Sequence, residues 1–259
     1  MNRDPQSEIK ISRDGLVGIV EIDRPPLNFF DVTLVDTLVR QMQALDADPD
    51  CRAIVLAAAG KVFCAGADFG GGFDPEEGVA MAEALYGNAV RLFEIATPIV
   101  AAVQGPAIGG GLGLALTADF RVASDAARFS ANFAVLGMHC GFAISTTLPR
   151  VVGQNAAAMM LYTGRRLTGT QAKEIGLVDV LVDQGAERAA ALELATEIAA
   201  AAPIAVQDMR RTLRRGLAED VRNTLAHELA QQRSHMTTAD FREGIRAASK
   251  RETPAFTGK

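Results

Sequence analysis

Apolar and polar residues alternate through Ile9-Lys10-Ile11-Ser12-Arg13, pause at Asp14-Gly15, and resume over Leu16-Val17-Gly18-Ile19-Val20-Glu21-Ile22. This pattern predicts two strands joined by a two-residue hairpin loop. Arg24-Pro25-Pro26 ends the second strand, and Leu34, Val35, Leu38, Val39, Met42 and Leu45 then recur at helical spacing. A helix over 32–45 leads to an apolar strand over 53–57. The unit repeats: Asp74-Pro75-Glu76-Glu77 supplies a cap, a first-position proline and first-turn acids. That helix is expected to run toward Ile95, ahead of a strand over 99–103. Shorter strands fit 119–123 and 177–182, and Thr168-Gly169-Thr170-Gln171 has the capping-box pattern for a helix through Ile175. After Pro203 the pattern is only helical. Strands alternating with helices indicate an α/β class, with a core over 1–200 and a helical oligomerisation region over 203–259. Its amphipathic faces are expected to pack on one another or on a neighbouring subunit.

Residues 98–119 hold the most unusual local pattern. An apolar strand and a turn precede Gly109-Gly110-Gly111, and an apolar helical stretch follows with no Ser, Thr, Asp or Asn cap. Backbone N–H groups are left unclaimed at a helix start where no Cβ blocks an approaching oxygen, which predicts an anion or oxyanion site. The next residues, Leu112 and Gly113, carry no group that could move a proton.

A chain of 259 residues, 49% hydrophobic and 22% charged, can bury one sizeable core. Its N-terminus lacks an apolar run, so no secretory signal is expected, and 98–118 is too broken by Gln104, Pro106 and glycines for a membrane span. Three cysteines without a CxxC pair, beside only three histidines, point to a reducing, cytoplasmic setting and to no metal. The net charge of −5 is uneven. Residues 210–259 carry eleven Arg/Lys against six Asp/Glu, hence +5, and residues 1–209 carry −10. This basic tail reads either as a solvated helix face or as a surface that meets phosphates. The acidic whole and the lack of interleaved aromatics argue against nucleic acid.

A second glycine-bearing segment, Val62-Phe63-Cys64-Ala65-Gly66-Ala67-Asp68, follows the strand at 53–57. Pro98-Ile99-Val100-Ala101-Ala102-Val103-Gln104-Gly105 and the triple glycine come after it in fixed order. Arg24-Pro25-Pro26-Leu27-Asn28 lies before them, and Leu148-Pro149-Arg150-Val151-Val152-Gly153, Thr163-Gly164-Arg165 and Gly176-Leu177-Val178-Asp179 lie behind. In the tail, Glu243-Gly244-Ile245 precedes Lys250-Arg251 and Phe256. Over nearly its whole length the chain thus resembles the enoyl-CoA hydratase/isomerase, or crotonase, superfamily.

The resemblance implies a ClpP/crotonase-like spiral of repeated ββα units with a C-terminal helical region, assembled as a trimer or a dimer of trimers. It implies an acyl-CoA thioester as ligand, coenzyme A being part of the substrate and no separate cofactor being needed. The N–H groups of Ala67 and Gly110 would form an oxyanion hole for the thioester oxygen. Ala65, Gly66, Asp68, Phe69 and Gly109 would line the ligand path, Tyr86 would border the acyl pocket, and Lys250, Phe256 and Lys259 would approach a neighbour's coenzyme.

Where hydratases of the family carry two glutamates, the resemblance places Gly113 and Phe133. Neither can transfer a proton, so ordinary hydration is not expected. The aspartate and histidine of the family's dehalogenases would fall at Gly141 and near Val90, which also lack the groups. His139, in the loop 138–142, is then the acid/base candidate, its alternative being an imidazole bonded to backbone. Cys140 reads as a packed cysteine, and Asp68 and Asp119 as hydrogen-bond anchors. The implied function is an acyl-CoA enzyme that stabilises an enolate; the alternative is a non-catalytic acyl-CoA carrier.

Overall fold

A computed structural model describes residues 8–68 and 75–259. Strands β1 (Ile9–Asp14) and β2 (Val17–Ile22) form the expected hairpin, with Asp14 opposite Val17. The two loop residues are therefore Gly15 and Leu16, one position later than the sequence pattern suggested. Gly15, at φ 54, supplies the left-handed first position that such a loop requires. Helix α1 (Val32–Asp46) is capped by Asp31, whose carboxylate accepts from Leu34 N, and it buries the apolar stripe named above.

From there the chain winds. Strand β3 (Ala53–Ala58), an isolated bridge at Cys64, and α2 (Pro75–Glu94) form one unit. Strands β4 (Ile99–Val103) and β5 (Ala107–Ile108) with α3 (Gly110–Ala115) form the next, and β6 (Phe120–Ser124), β7 (Arg128–Ser130) and α4 (Ile144–Thr163) a third. A 3₁₀ turn at Ala134–Leu136 precedes α4. Each unit sends its first strand into a large sheet and its second into a small one, which is the repeated ββα spiral. Strand β8 (Leu167–Thr168), α5 (Gly169–Glu174), β9 (Val180–Val182) and α6 (Glu187–Ala200) complete the core.

The large sheet runs β1-β2-β3-β4-β6-β9, parallel beyond the first hairpin; the small one runs β5-β7-β8, and the Cys64–Ala107 bridge extends it. Ala191, Ala195 and Ala199 of α6 pack on Val55, Val100 and Val122, while α1 and α2 lie with the other cluster. Both faces of β3 and β4 are thus covered, which is why those strands read as unbroken apolar runs. The strand expected over 177–182 is shorter because Leu177 N and Val178 N both donate to Ala172 O and close α5 instead.

Helices α7 (Pro203–Leu213), α8 (Leu217–His235) and α9 (Ala239–Lys250) confirm the helical pattern beyond Pro203. They fold back on the core: α8 packs on α2 and α4, and α9 packs on the 3₁₀ turn. Gly244 permits that last contact, since a Cβ there would lie 2.5 Å from Leu136 backbone. No single helix among the described residues is long and apolar enough to cross a membrane.

Candidate active site

The two glycine-bearing segments meet. Ile108 N donates to Cys64 O, and Phe30 N donates to Gly66 O. Gly66 has φ 82, and a Cβ on it would stand 3.2 Å from Gly110 N; a Cβ on Gly111 would stand 2.0 Å from Cys64 O. Only glycines allow this approach. Gly109, at φ 56, precedes α3 and gives it no side-chain cap. Among the described residues, the N–H groups of Ala67 and Gly110 find no acceptor.

A cavity of about 540 Å³ lies before them. Ala65, Gly66, Ala67, Asp68, Gly109, Gly110 and Phe133, all singled out from sequence, line it. Tyr86 does so too, together with Met81 and Leu85 of α2, Met138 and Phe142 of the loop before α4, Gln232 of α8 and Met236 just beyond its end. Phe69 and Asp74 lie outside the described residues. Lys250 and Phe256 are exposed and do not line the cavity; Lys259 holds the chain end against α9, its carbonyl accepting from Ala239 N and Asp240 N.

Two of the expected site residues stand away from the cavity wall. Gly113 is buried inside α3 and is absent from the cavity wall, because Phe142 lies over it: a Cβ at Gly113 would meet Phe142 Cβ at 2.7 Å. His139 is also absent from the wall. Its backbone N–H donates to His235 Nδ1 at 2.9 Å, and its own Nδ1 lies 2.9 Å from Cys140 O. Its ring is thus bonded to backbone, as in the alternative reading, and it is not among the residues that line the cavity. Cys140, 7% exposed, gives its thiol to Glu228 Oε1 at 3.6 Å. Burial, reinforced by the neighbouring carboxylate, pushes its pKa up and keeps it from serving as a thiolate nucleophile.

Sequence reasoning missed Glu228. Phe142 and Ala143 both adopt left-handed backbone, at φ 60 and 56, which is costly for residues with a Cβ. Glu228 holds them there: Oε2 accepts from Ala143 N at 2.8 Å, and Oε1 accepts from Ser145 N at 3.1 Å and Ser145 Oγ at 2.6 Å. Fully buried, the carboxyl has its pKa pushed up to about 7 by desolvation. The one available signal was spacing, since Glu228 falls on the inward stripe of α8 with Val221, Leu225 and Gln232.

Tyr86 joins the same framework, donating to Gln232 Oε1 at 2.9 Å while Gln232 Nε2 donates to His139 O at 3.1 Å. Burial raises the phenol well above its ordinary range, so it remains a neutral donor. Tyr86→Phe strands the Gln232 oxygen, and we expect a loss of about 1–3 kcal/mol in urea unfolding; an unchanged midpoint would show that this bond adds nothing.

The sequence from 13 to 259 matches the family model described as enoyl-CoA hydratase/isomerase. Mouse mitochondrial enoyl-CoA hydratase domain-containing protein 2 is 34% identical, the match covering 99% of this chain and 90% of that protein. The short-chain-enoyl-CoA hydratase of Clostridium acetobutylicum is 30% identical, over 98% and 99%. The crystal structure of an enoyl-CoA hydratase/isomerase from Pseudoalteromonas atlantica T6c superposes with a TM-score of 0.85 at 30% identity, over 96% of this chain and 100% of that one. Sequence, spiral fold and paired glycine segments agree that this chain belongs to the enoyl-CoA hydratase/isomerase family and has the crotonase fold.

Proposed function

We propose that the chain binds an acyl-CoA thioester and polarises its carbonyl through the N–H groups of Ala67 and Gly110. The observation that supports this reading is the pair of acceptor-free donors on the wall of a largely apolar cavity. A thioester oxygen between them would gain two hydrogen bonds in a water-poor site. Negative charge that builds on that oxygen, as an enolate or a tetrahedral adduct forms, is held by the two fixed donors, each contributing about 3 kcal/mol. Methionine, leucine and phenylalanine side chains would receive the acyl group, Phe133 among them.

The two-carboxylate route for adding water has no support, because Gly113 and Phe133 carry no acid and Phe142 occupies the space over Gly113. The reading is chemistry that puts negative charge on the thioester oxygen: isomerisation or an unusual addition through an enolate, or thioester hydrolysis through a tetrahedral oxyanion. Phe133 and Phe142, which dry the cavity, favour the second reading of an acyl-CoA carrier. Exposed Tyr162 of α4 and Ile204, Met209 and Leu213 of α7 would be covered in a trimer or dimer of trimers, where Lys250 and Phe256 would meet a neighbour's coenzyme.

An enoyl thioester with a conjugated double bond absorbs further to the red when its carbonyl is polarised. We expect such a shift on binding, and its loss in Ala67→Pro, which deletes one donor. Binding to the unaltered protein without a shift overturns the oxyanion reading. Turnover measured over a panel of thioesters separates the two functions: tight binding with no product from any of them selects the carrier.

A further inference from the structure

We propose that His139, Cys140 and Glu228 form a binding site for a divalent transition-metal ion, with zinc(II) the best match to the donors. The imidazole nitrogen, thiol sulfur and carboxylate oxygen all lie within 4.8 Å of one another. Cys140 Sγ is 3.7 Å from His139 Nδ1 and 3.6 Å from Glu228 Oε1. Ligands held about 2.0–2.3 Å from a tetrahedral zinc stand roughly 3.3–3.8 Å apart, so the two separations from Cys140 already suit zinc, and the His139–Glu228 pair, within 4.8 Å, would draw together on binding. Mixed sulfur, nitrogen and oxygen donors suit zinc, whereas magnesium and calcium take oxygen alone.

Charge points the same way. Glu228 is fully buried and no Lys or Arg pairs with it among the described residues, while Cys140 beside it stands as a neutral thiol donating to it. The Glu228 oxygens are held by neutral donors alone, Ala143 N on Oε2 and Ser145 N, Ser145 Oγ and the Cys140 thiol on Oε1, so an ion would bring positive charge to the carboxyl and take the place of the thiol proton on Oε1. The chain's only three histidines also converge here, the rings of His227 and His235 lying 5.9 Å and 6.3 Å from that of His139. His235 fixes the His139 backbone through Nδ1, and His227, exposed beside Glu228, or a water supplies the fourth ligand.

On binding, the thiol proton now directed at Glu228 leaves to solvent as the sulfur–metal bond forms. His139 Nδ1 exchanges its contact with Cys140 O for the ion. None of the three residues lines the acyl cavity, so the role is structural: the ion would tie α8 to the loop that carries Met138, Gly141 and Phe142.

Cobalt(II) titrated into the metal-stripped full chain is the test, because a cobalt–thiolate bond gives a charge-transfer band. We expect one equivalent to bind with that band, zinc to displace it, and zinc to raise the melting temperature. Cys140→Ser, nearly isosteric, should abolish the band and weaken binding about a hundredfold or more. A Cys51→Ser, Cys64→Ser double variant should keep it. The proposal is overturned by no band at stoichiometric cobalt, or by a band that survives Cys140→Ser. Binding lost only in His227→Ala would identify an adventitious surface ion and overturn it equally.

Discussion

Gly113→Glu is expected to destabilise the protein by several kcal/mol and to confer no hydratase activity. The side chain would begin 2.7 Å from Phe142 Cβ and within 2.9 Å of its ring, in the buried stretch of α3. Overpacking of that kind costs about 1–3 kcal/mol, and a carboxyl buried without a partner adds about as much again. The cause lies in a matched surface. Gly110 and Gly113 stand on one face of α3; Phe30 covers the first, its Cζ 2.3 Å from where a Cβ would be, and Phe142 covers the second. The two rings pack with centroids 5.4 Å apart. Urea unfolding should show the loss in Gly113→Glu and partial recovery when Phe142→Ala is added, since that change makes room. A single variant as stable as the parent would show that Phe142 is not fixed by its neighbours.

That coupling also shows how far sequence could reach. Helices α1 and α2 and strands β3 and β4 were legible because each buries a continuous face, which imposes a period on ten or more residues or an apolar run on five or six. Strands β5, β7 and β8, of two or three residues, are too short to show any period. The approach of the two glycine-bearing segments was legible because segments crossing this closely demand glycine at fixed positions, whereas the pairing of Ala67 with Gly110 came only from the resemblance to the family. Gly113 looked like a missing acid because sequence shows what a residue lacks and not what fills its place. Glu228 was hidden since its bond to Ala143 joins positions 85 apart. His139 drew notice for its titratable ring, but orientation is set by His235 and the Cys140 carbonyl, and neither can be read from spacing.

The basic tail shows the same limit. Asp119→Ala is expected to cost about 3–5 kcal/mol, the range for removing one partner of a buried ion pair. Asp119 Oδ2 accepts from Ile99 N and from Arg210 Nε, both at 2.8 Å, and Oδ1 accepts from Arg214 Nη1 at 2.8 Å. The side chains of Arg210 and Arg214 are only 8% and 14% exposed, so two of the tail's charges are spent fastening α7 to the core. Without the carboxylate, two guanidinium groups would face each other in a poorly solvated site. Burial pushes the Asp119 pKa up, but the two arginines and the Ile99 N–H outweigh it and hold the carboxyl below its ordinary 3.8. The unfolded chain therefore binds the proton at higher pH than the folded one. The stabilisation is complete above the unfolded value and is lost as pH falls from about 4 through the lower folded value. Asp119→Asn, which keeps an acceptor for Ile99 N but cannot titrate, should be less stable than the parent by a constant margin above about pH 5. The margin should narrow as acid protonates the parent's carboxyl. Urea midpoints of both proteins across that range check the sign; a margin that widens toward acid would mean the arginines do not hold Asp119 ionised.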